Sequence, residues 1–155
     1  MGCNSPVPKG NVHIRRQVLR KDQVPDWKNS TLPLPEVEVS GFLYFVLFSL
    51  PFFFEYLPNT QLAQGTIEDS QAELHADFAN KYIGGGVLTG GCVQEEILFL
   101  VKPECLISLM FCAVMEANEV IFITGAERYS KYKGYGPRFG FDGDYVDNSP
   151  RCEMW

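Results

Sequence analysis

The chain has 155 residues and a mass of 17.5 kDa, which fits one domain and argues against a two-domain cofactor enzyme. Hydrophobic residues make up 46% of the chain, so an ordinary core can form and a disordered or collagen-like chain is excluded. The formal charge is −6, but residues 1–28 hold six of the 13 basic and two of the 19 acidic groups, a local charge of +4. The remainder carries −10, so we expect no binding to duplex nucleic acid.

The five cysteines form no CxxC pair, and three of them lie in apolar surroundings, as is typical of reduced thiols. We therefore expect a protein of the nucleus and cytoplasm. With only His13 and His75, the sequence lacks the ligand spacing of a zinc site, and we expect neither a metal nor another cofactor. The start of the chain has no apolar signal region, and Pro6 stands where the myristoylation pattern needs Ser or Thr.

Residues 1–40 are polar and rich in proline, and they predict an irregular lead-in with one short strand over 12–18 and no helix. Residues 42–57 contain half of the 12 Phe residues. This run is shorter than the roughly 20 residues of a membrane helix and contains Pro51 and Glu55, so we expect a buried hydrophobic segment rather than a membrane span. A membrane-associated protein governed by this run is kept as an alternative.

After a polar, turn-like stretch over 59–71, residues 72–79 predict a strand. Helices are predicted over 93–100 and 104–115, separated at Pro103, and the β-branched run 120–124 predicts a buried parallel strand. This order gives one βαβ crossover. The tail over 129–145 interleaves aromatic residues with glycines and is predicted as a loop, whose rings pack mainly on a sheet.

The stretch 84–96 joins Gly84, Gly85 and Gly86 to the tandem acids Glu95 and Glu96. Glycines let a backbone approach a ligand and present N–H groups, and a helix that follows favours an anion, so a diphosphate fits here. The dinucleotide fingerprint and the P-loop motif are both absent. Two interpretations stay open: a glycine turn followed by ordinary first-turn acids, or an acid whose raised pKa lets it protonate a leaving group, as in a glycosidase.

Three glycines, seven further residues and Gln-Glu-Glu form the motif of the poly(ADP-ribose) glycohydrolases, which this chain resembles. The flanking segments 65–68, 77–80, 124–127 and 132–135 are similar to that family as well. The resemblance covers residues 65–146 well and 10–40 weakly. It implies hydrolysis of the ribose–ribose O-glycosidic bonds in poly(ADP-ribose), no cofactor, and poly(ADP-ribosyl)ated proteins as partners, in the setting of DNA damage.

By resemblance, Glu96 is the catalytic acid, and Glu95 and Asp77 are the other acidic residues of the active site. The glycines 84–86 would hold the diphosphate. Further substrate-binding roles follow by resemblance for five residues: Ile67 and Glu68 at the adenine, Asn80 and Gln94 as polar contacts, and Tyr135 packed over the ligand.

The implied fold is α/β: a macrodomain-like mixed sheet with flanking helices, incomplete at the C-terminus because family members continue past this point. We divide the chain into an irregular lead-in (1–40), a hydrophobic segment of doubtful origin (41–64) and a partial macrodomain-like catalytic domain (65–155). The segment 41–64 has no family counterpart, and our hypothesis is a translated intron. A truncated, inactive ADP-ribose-binding module is the alternative to an active enzyme.

Overall fold

The structure is a computed structural model that describes residues 10–23, 29, 37–40, 60–63, 66–69 and 74–146. The chain divides into two compact units, one of residues 1–24 and 77–155 and the other of residues 25–76. In the ranges described, no helix is both long enough and apolar enough to cross a bilayer. The Phe-rich run 42–57 lies outside the described residues.

The core of the first unit is built on helix α1, Gln94–Val101. Its buried side chains include Ile97, Phe99 and Val101, each about 1% exposed. The helix ends at Val101 because Pro103, which begins a 3-10 turn over Pro103–Ile107, disfavours helical backbone at the preceding residue, Lys102. A short helix α2, Ser108–Phe111, follows. The partly buried hydrophobic residues that pack on this core are Ile83, Val87, Leu106, Leu109, Ile123 and Ala126.

Strand β1, His13–Val18, pairs antiparallel with strand β4, Glu119–Thr124. Arg16 strengthens this pairing, because its guanidinium lies 2.9 Å from a carboxylate oxygen of Glu119 and also donates to the carbonyls of Ala113 and Val114. A side chain that meets three acceptors fixes the strand pair to the segment that follows α2.

An antiparallel hairpin, β5 Ser130–Lys133 with β6 Gly140–Asp144, leads back to the start of α1. The rings of Tyr132 and Phe139 lie 5.6 Å apart inside the hairpin, and the buried Arg128 stacks 4.3 Å over the ring of Tyr145. The hairpin therefore carries the residues after β5, including Tyr135, on a packed support.

The second unit contains strands β2, Val37–Ser40, and β3, Thr60–Ala63, which pair in parallel. A 3-10 turn over Ile67–Asp69 follows, and the hydroxyl of Thr66, the residue before it, donates to the Asp69 carboxylate at 2.9 Å. Glu68 in this turn is buried.

Three elements agree with the sequence: the strand predicted over 12–18, the helix over 93–100, and the strand over 120–124. Others were wrong. The described part of 72–79 forms no strand, and the N–H of Phe78 donates to the side chain of Gln94 in α1. Strand β4 pairs antiparallel with β1, so the predicted βαβ crossover does not form.

Four further expectations are corrected. The stretch 59–71 was predicted as turns but contains β3, and the tail 129–145 was predicted as a loop but forms the β5–β6 hairpin. The helix expected over 104–115 is a 3-10 turn and one short helix, and the lead-in contains a 3-10 turn over Lys21–Gln23. Among the described residues, the strands form three two-stranded sheets, two antiparallel and one parallel.

Candidate active site

A glycine-rich loop precedes helix α1 and curls over the helix N-terminus. Successive turns bend it: the N–H of Gly85 donates to the carbonyl of Tyr82, and the N–H of Gly91 to that of Gly86. Gly84 and Gly85 have φ of +85° and +50°, in the left-handed region where a side chain is costly. The loop therefore needs glycine for its backbone conformation.

Glu95 is held by the backbone on both of its carboxylate oxygens. One oxygen accepts the N–H of Gly84 at 2.6 Å and the other accepts that of Asn80 at 2.9 Å. Burial raises the pKa of Glu95, which is 4% exposed, while these two hydrogen bonds act to lower it and the charge of Glu96 adds to the rise. The net shift is upward, so this carboxyl gains a proton more readily than an exposed glutamate.

Glu96 is held in the same way and lies in the third position of the helix. Its carboxylate oxygens accept the N–H of Gly86 at 2.8 Å and of Val93, the residue that caps the helix, at 3.0 Å. Burial acts to raise the pKa of Glu96, but the hydrogen bonds from Gly86, from Val93 and from its own N–H outweigh burial and lower it. Glu96 is therefore an ionised carboxylate near neutral pH.

Asp77 supplies the third carboxyl. Its Oδ1 is buried and has no hydrogen-bond partner among the described residues. Burial, followed by the negative charges of Glu95 and Glu96, raises the pKa of Asp77 to about 7. Three carboxyl groups thus interact at the N-terminus of α1, and Asp77 is the member that is about half protonated near pH 7.

The polar residues around these acids bind the surrounding backbone. The side-chain oxygen of Gln94 accepts the N–H of Phe78 at 2.9 Å, and the N–H of Gln94 donates to the hydroxyl of Tyr135 at 3.1 Å. The side-chain oxygen of Asn80 accepts the N–H of Tyr82 at 3.0 Å, which closes a turn at the entry to the glycine loop. Tyr135 is 37% exposed.

The structure thus brings Asp77, Glu95, Glu96 and the glycines 84–86 together, and it places Gln94, Asn80 and Tyr135 beside them. Ile67 and Glu68 belong to the second unit, where they lie in the 3-10 turn over Ile67–Asp69. Within the described part of the chain, no cluster of three His, Cys, Asp or Glu side chains forms a metal site.

One expectation about the loop changes. The sequence suggested that the glycine N–H groups face a ligand, but those of Gly84 and Gly86 donate to Glu95 and Glu96. The anions bound by these backbone N–H groups and by the helix N-cap are the carboxylates of Glu95 and Glu96, which belong to the protein itself. Glu95 and Glu96 both lie in the first turn of the helix, as one of the two interpretations expected, and Glu96 accepts the N–H of the N-cap residue Val93.

Sequence analysis missed two residues of the site, Gly91 and Val93. A Cβ on Gly91 would stand 2.8 Å from the Glu96 carboxyl carbon, and Val93 donates its N–H to the same group. The signal for Gly91 was present, because a second pair of glycines follows the first three. Val93 gives no such signal, since its backbone rather than its side chain contacts Glu96.

A comparison with models of known protein families identifies the class of protein to which this chain belongs. Residues 56–155 match the family model described as "Poly (ADP-ribose) glycohydrolase (PARG), Macro domain fold", which confirms the predicted macrodomain fold class. Because this match covers more than half of the chain, the chain belongs to the poly(ADP-ribose) glycohydrolase family.

Individual relatives support the same family assignment. The chain is 38% identical over 144 residues to "Poly(ADP-ribose) glycohydrolase 1" and 36% identical over 152 residues to "Probable poly(ADP-ribose) glycohydrolase 2", both of Arabidopsis thaliana. These alignments cover 92% of this chain but only 22% and 25% of the two relatives. "Poly(ADP-ribose) glycohydrolase 1" of Caenorhabditis elegans is 40% identical over 131 residues, which are 83% of this chain and 14% of that relative. The chain thus spans a quarter or less of the length of these relatives.

Proposed function

We propose that this chain hydrolyses the ribose–ribose O-glycosidic bonds of poly(ADP-ribose) and releases ADP-ribose. The observation that carries the proposal is the cluster of Asp77, Glu95 and Glu96 at the N-terminus of α1, held under a glycine loop. Glycoside hydrolysis needs a carboxyl group that protonates the departing oxygen and a site that stabilises the sugar cation. Membership of the family supports the same activity.

Glu96 is the proposed general acid. A carboxylate offers about four lone-pair positions, so the two bonds from Gly86 and Val93 leave acceptor positions for a proton and a sugar. The reaction then needs Glu96 to be protonated, and Asp77, which shares the site, is the carboxyl that holds a proton near pH 7. In the step itself, the Glu96 proton moves to the departing ribose oxygen as the glycosidic bond breaks. Water then adds to the sugar carbon and returns a proton to Glu96.

The diphosphate is proposed to bind the outer part of the glycine loop. Gly84 and Gly86 donate to the two glutamates, whereas the N–H groups of Leu88 and Gly90 have no protein acceptor among the described residues. Both residues are exposed. Backbone donors near a helix N-terminus suit a diphosphate, and glycine lets the ligand approach closely.

The remaining site roles are proposals of the same kind. Ile67 and Glu68 would contact the adenine, Asn80 would offer its side-chain amide to the substrate, and Tyr135 would pack its ring on the ligand. The natural substrate would be poly(ADP-ribose) attached to proteins in the nucleus and cytoplasm. None of these roles requires a metal or another cofactor.

A second candidate function is binding of ADP-ribose without turnover. The lowered pKa of Glu96 favours it, since an ionised carboxylate cannot donate the proton that the leaving group needs. Under this alternative, the loop and Tyr135 still hold the ligand, and the three acids stabilise the loop rather than perform chemistry.

One experiment separates the two functions. The purified chain and its Glu96→Gln variant are incubated with poly(ADP-ribose), released ADP-ribose is quantified, and ADP-ribose binding is measured by calorimetry. Glu116→Gln is the matched control, because Glu116 is exposed and its described hydrogen bond is to Glu119 and not to any of the three acids. We expect release by the chain and the control, and binding without release by Glu96→Gln. Unchanged release by Glu96→Gln would remove Glu96 from catalysis. Binding without release by the unaltered chain would establish the second candidate.

A further inference from the structure

Glu104 lies in the 3-10 turn that follows α1, and its side chain binds the segment that enters strand β5. One of its carboxylate oxygens accepts the backbone N–H of Glu127 at 2.7 Å, and the other lies 3.4 Å from the hydroxyl of Tyr129. Burial, followed by the negative charges of Glu104 and Glu127, raises the pKa of the Tyr129 hydroxyl, so this group keeps its proton and can donate it. One side chain therefore holds two residues that lie 23 and 25 positions later in the chain.

Two backbone hydrogen bonds meet at the same place. The N–H of Tyr129 donates to the carbonyl of Val101, the last residue of α1, at 2.9 Å. The carbonyl of Tyr129 in turn accepts the N–H of Tyr145, which follows β6, also at 2.9 Å. The entry to β5 and the exit from β6 are thus both attached at the C-terminal end of α1.

The other end of the β5–β6 hairpin is attached at the start of α1. The hydroxyl of Tyr135 accepts the N–H of Gln94 at 3.1 Å, and the N–H of Gly136 donates to the carbonyl of Cys92 at 2.9 Å. The helix has eight residues, which at 1.5 Å per residue make it about 12 Å long, and β5 packs on it between the two attachments. The hairpin is therefore held at both ends of α1, and a shift of its far end also moves Tyr135.

The backbone around Tyr135 does little to fix this residue. Tyr135 is 37% exposed, and the residues on either side of it, Gly134 and Gly136, are glycines with φ of +72° and +56°. Glycine restricts the backbone less than any other residue. The place of the Tyr135 ring therefore depends on how firmly the hairpin behind it is held.

We propose that Glu104 is a positioning residue, whose carboxylate holds the entry to β5 and thereby keeps the Tyr135 ring in place beside the start of α1. The consequence for ligand binding rests on the proposed function, in which this ring packs on ADP-ribose, but the attachment of β5 stands on the contacts described above. Glu104 lies at the opposite end of α1 and acts on the ligand only through Tyr135.

The first test compares Glu104→Met, which removes both acceptor oxygens, with Glu104→Gln, which keeps one acceptor for the N–H of Glu127. Glu116→Met, the same change at an exposed glutamate, is the matched control. A hydrogen bond to a charged group shifts the equilibrium that it supports by at least roughly 10-fold, so we expect Glu104→Met to raise the Kd for ADP-ribose about 10-fold. The KM for poly(ADP-ribose) should rise with it while kcat changes little. Glu104→Gln and Glu116→Met should bind ADP-ribose nearly as the unaltered chain does.

The same comparison is repeated in a Tyr135→Ala background. There Glu104→Met should add little to the Kd, because the ring that Glu104 positions is already absent. An equal effect in both backgrounds would show that Glu104 does not act through Tyr135 and would overturn the proposal. A loss of thermal stability with an unchanged Kd, or a Glu104→Met chain that does not fold, would also overturn it, because Glu104 would then serve only the fold.

A second measurement needs no ligand. Amide hydrogen exchange is followed by NMR at Gly136, whose N–H attaches the hairpin to the start of α1, and at Leu19, whose N–H donates to the carbonyl of Asn118 beside the β1–β4 pair at 2.8 Å. We expect Glu104→Met to speed exchange about 10-fold at Gly136 and to leave Leu19 unchanged, with neither amide affected in Glu104→Gln or Glu116→Met.

Unchanged exchange at Gly136, or equal acceleration at both amides, would overturn the proposal, since the first shows no release of the hairpin and the second shows general destabilisation. The outcome is distinguishable from failure of the proposed function. A chain that neither binds nor releases ADP-ribose would overturn that function, and the exchange rates would still decide whether Glu104 holds Tyr135 in place.

Discussion

Gly85 lies where the glycine loop meets the two glutamates, and its replacement gives a quantitative test of the site. A Cβ built on Gly85 would stand 2.5 Å from an oxygen of Glu96 and 2.6 Å from an oxygen of Glu95. Alanine at this position therefore cannot be accommodated without moving the loop or both carboxylates.

Gly90 provides a matched control in the same loop. It has a positive φ of +92°, but a Cβ there meets no atom within 4 Å. Both alanine variants incur the cost of left-handed backbone, about 1–2 kcal/mol. Gly85→Ala adds the cost of overpacking, typically about 1–3 kcal/mol. For a chain of this length, 1 kcal/mol lowers Tm by about 2–4 °C, so Gly85→Ala should melt roughly 2–12 °C below Gly90→Ala.

The assay is thermal denaturation followed by circular dichroism, with urea denaturation as a second measure of the free energy of unfolding. ADP-ribose affinity is measured on each variant by calorimetry. Equal melting temperatures for the two variants would show that the loop does not pack on the carboxylates as described, and the account of the site would then fail.

Three further outcomes are expected. The folded pKa of Asp77, about 7, lies above its ordinary value of 3.8, so the folded state binds more protons than the unfolded state between these values and stability falls as pH rises through that window. Asp77→Asn should therefore gain stability relative to the unaltered chain between pH 4 and pH 8 in urea titrations, and a constant difference would contradict the raised pKa. Tyr135→Phe removes the hydroxyl that accepts the N–H of Gln94, and we expect a loss of about 0.5–1.5 kcal/mol with a smaller loss of ADP-ribose affinity than Tyr135→Ala. Equal losses of affinity in both Tyr135 variants would place the hydroxyl, not the ring, on the ligand. Arg16→Met breaks the bonds to Glu119 and Val114 and should lower the free energy of unfolding by about 1.5–3 kcal/mol, while Arg15→Met, on the exposed side of the same strand, should cost less. A reversed order would show that Arg16 does not secure the β1–β4 pair.

The sequence predicts those helices and strands whose pattern of apolar and polar residues lies entirely within the element. The apolar run of β4 and the acids followed by apolar residues in α1 determine a strand and a helix without reference to the rest of the chain. The partner of β4 was not predictable in this way, because β1 lies about 100 residues earlier. The apolar character of β4 is equally compatible with a parallel or an antiparallel neighbour.

The candidate site was predictable in composition but not in its hydrogen bonds. The Gly-Gly-Gly and Gln-Glu-Glu groups of the sequence identify the residues that lie together in the site. Their spacing in sequence does not reveal that the N–H groups of Gly84 and Gly86 turn towards Glu95 and Glu96, because this depends on the turns between them. The sequence does not predict the opposite pKa shifts of Glu95 and Glu96 for the same reason. Two adjacent glutamates differ in pKa through the surroundings that the fold gives them, including the N–H donors around each carboxylate.

The four N–H groups that reach Glu95 and Glu96 also bear on the thermodynamics of association. Bonds to ionised acceptors contribute about 1.5–3 kcal/mol each, so the loop is already preorganised in the empty protein. If the chain binds ADP-ribose as proposed, ordering of the loop backbone would cost little affinity, and the outward N–H donors and the Tyr135 ring would determine how tightly the ligand is held. Acidification that protonates Glu96, whose folded pKa is lowered, would remove stability from this scaffold, whereas protonation of Glu95, whose folded pKa is raised, would not.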